Sequence, residues 1–128
     1  MKSRDSVLRL KRFQVQEKAR QVAQIETMIA EFRRMVQDLD GQIAYEEKKA
    51  GITDPEHFAY PTFAKAARNR RENLETSIRD LLEQQVAARE ALDAVEDELG
   101  KAERKEERDG KTGEFDAAQE IDRAVMIG

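Results

Sequence analysis

Residues 8–43 read LRLKRFQVQEKARQVAQIETMIAEFRRMVQDLDGQI. In this stretch an apolar residue recurs at every seventh position, which is position a of a heptad lettered a to g. The d positions, three residues further on, fall on the same stripe of an α-helix. Met28 and Met35, at position g, widen this stripe. The repeat predicts one long amphipathic helix over about residues 3–49. Its a positions are Leu8, Val15, Val22, Ile29, Val36 and Ile43, and its d positions are Lys11, Lys18, Ile25, Phe32 and Leu39.

A connector over residues 50–61 follows this helix. Gly51 is typical of the residue just after a helix, and Asp54-Pro55 is typical of a helix or turn start. Asp54 is expected to cap a short turn through Phe58, and Pro61 to start the next helix. A second heptad stripe then predicts a helix over about residues 62–109, with Gln85 as its polar a position. Its other a positions are Ile78, Leu92 and Leu99, and its d positions are Ala67, Leu74, Leu81, Ala88, Val95 and Ala102.

The two stripes have nothing else in the chain to cover them, so we expect them to cover each other. The fold class predicted is all-α, a long antiparallel two-helix coiled-coil hairpin over residues 1–109. The helix pattern breaks at Gly110, and residues 110–128 form a tail with a short C-terminal amphipathic segment. The expected core comprises Leu8, Val15, Val22, Ile25, Ile29, Phe32, Val36, Leu39, Ile43, Leu74, Ile78, Leu81, Ala88, Leu92, Val95 and Leu99. The amphipathic spacing in the tail is that of Phe115, Ala118, Ile121 and Val125.

Two registers of this hairpin remain open. The preferred one pairs Ile43 with Leu74 and places Phe32 over Gln85. The neighbouring one, shifted by one heptad, places Arg71 against Leu39 and Gln85 against the facing Ile25. Because burying polar side chains costs free energy, the first register is favoured.

The charge distribution agrees with an antiparallel arrangement. Charged residues make up 39% of the chain, hydrophobic residues another 39%, and there is no Cys. Residues 1–20 are predominantly basic and residues 83–109 predominantly acidic, which suits helices that bring the two chain ends together. No stretch is apolar enough to span a membrane. We therefore expect a soluble cytoplasmic protein.

No residue pattern indicates catalysis, a cofactor or a metal site. His57 is the only His, and a surface or packing role is expected for it because no nucleophile accompanies it. Gly110-Lys111-Thr112 lacks the strand and the upstream Gly of a phosphate-binding loop. Acidic residues on successive positions of the second helix point in different directions, so a solvated face is expected. The sequence thus favours a protein that is not an enzyme.

Apolar residues off the seam are the most informative feature. Leu10 and Phe13 point away from the partner helix near the open end of the hairpin. At the other end, aromatic side chains gather around the connector: Tyr45, Phe58, Tyr60 and Phe63. Apolar groups exposed at both ends are what a bridging adaptor needs.

The chain resembles the flagellar export protein FliJ family, in its alphaproteobacterial form. The resemblance covers roughly residues 1–108 and rests on the opening KSRDSVLRLKRF of residues 2–13 and on the connector GITDPEHFAYPTF of residues 51–63. The tail departs from the family, whose members often extend the second helix further.

This resemblance implies a non-enzymatic component of the flagellar type III export apparatus that links and stimulates the export ATPase ring. It also implies contact with the membrane export gate near the tip, help in handling export chaperones, and a cytoplasmic location at the inner-membrane basal body. The implied ATPase contacts are Arg4, Arg9, Leu10, Lys11, Arg12 and Phe13. Tyr45, Tyr60 and Phe63 resemble the gate-contacting positions, and Phe58 joins them by proximity.

Two alternatives from other functional classes remain. One is a nucleic-acid-binding arm that uses residues 1–20 and the Arg68, Arg70 and Arg71 cluster, although no stacking or groove-reading motif accompanies these residues. The other is a homo-oligomeric bundle in which hairpins pair through their outer faces.

Overall fold

The computed structural model describes the backbone of residues 2–127 and the side chains of residues 3–110. It contains two long helices, α1 (Lys2–Ala50) and α2 (Thr62–Ile127), and no strand within residues 2–127. The helices pack against each other, and the chain is 90% helical. The predicted all-α helical hairpin is therefore confirmed.

The connector between the helices is held by short-range hydrogen bonds. Gly51 adopts a φ of 72°, and the N–H groups of Gly51 and Ile52 both donate to the carbonyl of Glu47, at 2.9 and 3.3 Å. This left-handed residue ends α1, and glycine adopts it without the steric cost that a Cβ brings. The Asp54 carboxylate then accepts the N–H of Glu56 at 3.0 Å, so Asp54 caps a turn as predicted.

The second helix is longer than the sequence pattern indicates. The prediction ended it at Asp109, whereas α2 continues to Ile127. A glycine inside a helix costs only about 1 kcal/mol, and no proline follows Gly110, so the helix passes through this residue. The amphipathic segment predicted from Phe115 to Val125 lies outside the residues whose side chains the structure describes.

The chain divides into two compact units. The terminal unit comprises residues 1–19 and 90–128, and the connector unit comprises residues 20–89. In the connector unit Leu39, Ile43 and Ala67 form a buried cluster, and Leu74 packs against it. Each of the sixteen side chains assigned to the seam from sequence is buried or half-buried.

Contacts within the connector unit correct the preferred register. Arg71 lies beside Asp40, the neighbour of Leu39, and Gln85 lies beside Glu26, the neighbour of Ile25. These positions belong to the register shifted by one heptad. The burial of Arg71 and Gln85 had disfavoured this register. In the structure both side chains extend to the edge of the seam, where each contacts a carboxylate. The cost of burial that the sequence argument assigned to them is therefore not incurred.

Within the part of the chain that the structure describes, neither helix has a stretch that is long and apolar enough to cross a membrane.

Candidate interaction surfaces

In the terminal unit, ion pairs join α1 to α2. Three of the basic residues predicted to contact a partner also pair with acidic residues of α2, and their side chains stay partly exposed. The pairs are Arg4 with Asp109 (3.2 Å) and Glu106 (4.0 Å), Lys11 with Glu98 (3.7 Å), and Arg12 with Glu103 (3.8 Å). The basic and acidic blocks of the sequence thus meet each other within this unit.

An apolar patch lies on the outer side of α1 in the same unit. Leu10 and Phe13 are 56% and 55% exposed, as their off-seam positions predict. Val7, which the sequence analysis overlooked, lies one turn before Leu10 and is also about half exposed. It was overlooked because position g borders the seam. We call Val7, Leu10 and Phe13 the terminal apolar patch.

Arg9 is the cation that accompanies this patch. It precedes Phe13 by four residues, so the two side chains are neighbours on the helix surface. It is exposed and forms no ion pair with any side chain between residues 3 and 110. Of the basic residues predicted to contact a partner, Arg9 is therefore the one that forms no ion pair within the described part of the terminal unit.

Tyr60 is a structural residue of the connector unit and does not face outward. Its side chain is 7% exposed, and its hydroxyl accepts a hydrogen bond from Arg68 Nε at 2.8 Å. The Arg68 guanidinium also pairs with Glu47 at 3.3 Å and lies 5.8 Å from the centre of the Tyr60 ring. The hydrogen bond that Arg68 donates to Tyr60, followed by the one that it donates to Glu47, raises the pKa of Arg68. Tyr60 therefore stabilises the connector, and little of its side chain is exposed for the partner contact that the sequence predicts.

Phe58 is the most exposed of the predicted tip aromatics. Its side chain is 96% exposed, and its ring stacks on that of His57 with 4.8 Å between the ring centres. His57 Nδ1 in turn accepts the N–H of Ala59 at 3.0 Å. His57 therefore orders the connector around an outward-facing Phe58.

Tyr45 and Phe63 come together on one groove, although they belong to different helices. Both are more than half exposed. The groove has a volume of about 410 Å³, and we call it the connector groove. Its remaining lining residues are Asp38, Gly41, Gln42 and Glu46.

On one side of the connector unit, ion pairs and a hydrogen bond from Gln85 join the two helices, and the sequence did not predict them. In each of them the α1 partner is a carboxylate at heptad position e. The contacts are Glu26 with Arg89 and with Gln85 (3.3 Å), Asp40 with Arg71 (3.2 Å), and Glu47 with Arg68 (3.3 Å). The hydrogen bond from Arg89, reinforced by that from Gln85, lowers the pKa of Glu26.

The arginine cluster near the connector is largely used inside the protein. Arg68 bonds Tyr60 and Glu47, and Arg71 lies between Asp40 and Glu75, at 3.2 and 3.3 Å. A nucleic-acid arm needs several cations free for phosphate. Arg70, the third member of the cluster, is exposed and forms no ion pair with another described residue, so the nucleic-acid alternative stays a prediction.

Comparisons of the chain with known protein families, with curated proteins and with solved structures find no match.

Proposed function

We propose that this chain is a non-enzymatic adaptor of the flagellar type III export apparatus, which links and stimulates the export ATPase ring and contacts the export gate. The observation that carries the proposal is that each unit of a helical hairpin exposes large apolar side chains off its seam. Such side chains are the usual anchors of a protein–protein contact. The resemblance of residues 2–13 and 51–63 to the FliJ family supplies the identity of the partners.

The terminal apolar patch is the surface proposed to contact the ATPase ring. Leu10 and Phe13 supply exposed apolar area, and Arg9 supplies a charge that no described side chain neutralises. Arg4, Lys11 and Arg12 contribute less directly in this proposal, because acidic residues of α2 pair with their side chains.

The connector groove is the surface proposed to contact the export gate. Tyr45 and Phe63 line it from the two helices, and Phe58 adds an outward ring on the connector. Tyr60 supports this surface through Arg68 without contacting the partner. We place the protein in the cytoplasm at the inner-membrane basal body, and handling of export chaperones is part of the same proposal.

The test is steady-state ATP hydrolysis by the flagellar export ATPase of the same organism, with and without this protein. A Leu10→Ser, Phe13→Ser variant removes the apolar contact and leaves every recorded ion pair in place. Val86→Ser is the matched control, because Val86 is 57% exposed and lies in the connector unit. We expect stimulation of hydrolysis to fall at least tenfold in the first variant and to persist in the control.

Two results would contradict the proposal. One is that the wild-type protein neither stimulates hydrolysis nor co-sediments with the ATPase ring. The other is that the Leu10→Ser, Phe13→Ser variant stimulates as well as wild type, which would remove the terminal apolar patch from the contact.

A further inference from the structure

The two sides of the connector unit differ in how their charges are used. The ion pairs described above all lie on the side of heptad position e. The other side carries Met28 and Met35 at position g, which are 42% and 44% exposed, and Phe63 of α2. Half-exposed methionines one heptad apart form a continuous apolar edge along α1.

Two unpaired charges lie on the outer surface of α1 next to this edge. Glu31 and Arg34 occupy the turn between Met28 and Met35, and both are exposed. Neither forms an ion pair with another residue of the described part of the chain. Their charges are thus available to a partner, in contrast to those of Glu26, Asp40 and Glu47 on the other side.

We propose that this face of α1 binds a second copy of the chain through a two-fold axis. When two identical helices run antiparallel about an axis between residues 31 and 34, Glu31 of each copy faces Arg34 of the other. The methionines of both copies then lie along the same edge of the contact. A parallel arrangement would instead place like charges together, so the charge order selects the antiparallel dimer.

The proposed contact between the two copies is small, and we expect it to be weak. Two exposed ion pairs and four half-exposed methionines bury less area than a stable obligate interface requires. We therefore expect a reversible dimer that forms only at high protein concentration. This inference needs neither the ATPase nor the gate, and so it stands or falls independently of the proposed function.

The test is sedimentation equilibrium of the full chain over a range of concentrations, with two charge-reversal variants. Glu31→Arg and Arg34→Glu each create like charges across the two-fold axis, and each alone should weaken dimerisation at least tenfold. An equimolar mixture of the two should form a heterodimer, because one chain then presents two cations to two anions of the other. We expect this heterodimer to be at least as tight as the wild-type dimer.

Glu83→Arg is the matched control. Glu83 is exposed on α2, forms no recorded ion pair among the described residues, and undergoes the same change in charge. It should leave dimerisation within twofold of wild type. Circular dichroism establishes that each variant keeps its helices. A wild-type chain that stays monomeric, a mixture that fails to associate, or a Glu83→Arg chain weakened as much as Glu31→Arg would each overturn the proposal.

Discussion

Glu26 is one of the carboxylates that join the two helices of the connector unit. It accepts hydrogen bonds from Arg89 and Gln85, and its pKa is lowered from an ordinary value of 4.5. A carboxyl whose pKa is lower in the folded state contributes stability above its unfolded pKa. That contribution is lost as the pH falls through the folded pKa.

Replacing Glu26 therefore has an effect that depends on pH. We expect Glu26→Gln to melt at a lower temperature than wild type at pH 7, since the charge-assisted bond from Arg89 is weakened. The gap should close as the pH is lowered below 4.5 and the wild-type carboxyl is protonated. Thermal unfolding followed by circular dichroism from pH 7 to pH 3 measures this, with the exposed Glu83→Gln as control. A gap that stays constant with pH would contradict the assignment.

Tyr60 offers a second prediction for a single residue. Its hydroxyl accepts from Arg68 in a half-buried site, so Tyr60→Phe removes one hydrogen bond without changing the packing of the ring. We expect the free energy of unfolding to fall by about 1 kcal/mol. Tyr45→Phe is the control, because the Tyr45 side chain is mostly exposed and should tolerate the change. Urea unfolding of both variants decides the point; equal stabilities would mean that Tyr60 does not hold the connector.

At the scale of the helices, we expect replacement of two glycines by alanine to change the stability of the protein in opposite directions. Gly51 lies just after α1 at a φ of 72°, whereas Gly41 lies inside α1 with open space where a Cβ would go. Gly51→Ala forces a left-handed conformation and should cost about 1 kcal/mol. Gly41→Ala should stabilise the protein by about 0.5–1 kcal/mol, because alanine has the higher helix propensity. Thermal melts of the two variants measure this; shifts of the same sign would contradict the helix end at Ala50.

The helices and their seam could be predicted from the sequence because heptad periodicity reports directly on which residues share a face. The register could not. Its choice depended on assuming that Arg71 and Gln85 would be buried, and long polar side chains can instead reach out to the edge of a seam. Similarly, Gly110 breaks an amphipathic pattern but costs a helix too little to end it.

For the whole molecule, the surfaces were harder to predict than the core. Leu10 and Phe13 were found because positions c and f point outward whatever the register. The burial of Tyr60 could not be predicted, since only the folded connector brings Arg68 to its hydroxyl and buries its ring. The ion-paired side was missed for a related reason, because pairs across two helices depend on the register that the sequence left open.

In the terminal unit, two d positions of α1 carry lysine where a coiled-coil seam normally has an apolar residue. Lys11 and Lys18 are half-buried, and Lys11 turns out of the seam to pair with Glu98 at 3.7 Å. A seam with cations at two of its d positions holds its helices less tightly than an all-apolar one. We expect such a seam to let the terminal unit adapt to the ring that it is proposed to contact.

Lys11→Leu, Lys18→Leu tests this idea by completing the apolar stripe. We expect the midpoint of thermal unfolding to rise, because each leucine buries apolar surface in place of a charged side chain. Stimulation of the export ATPase should fall severalfold, because a stiffer terminal unit adapts less well. Gln85→Leu, the same kind of change in the connector unit, should leave stimulation unchanged. If the lysine variant is more stable and stimulates the ATPase as well as wild type, the weak seam is not needed for contact with the ring. The two lysines would then affect stability alone.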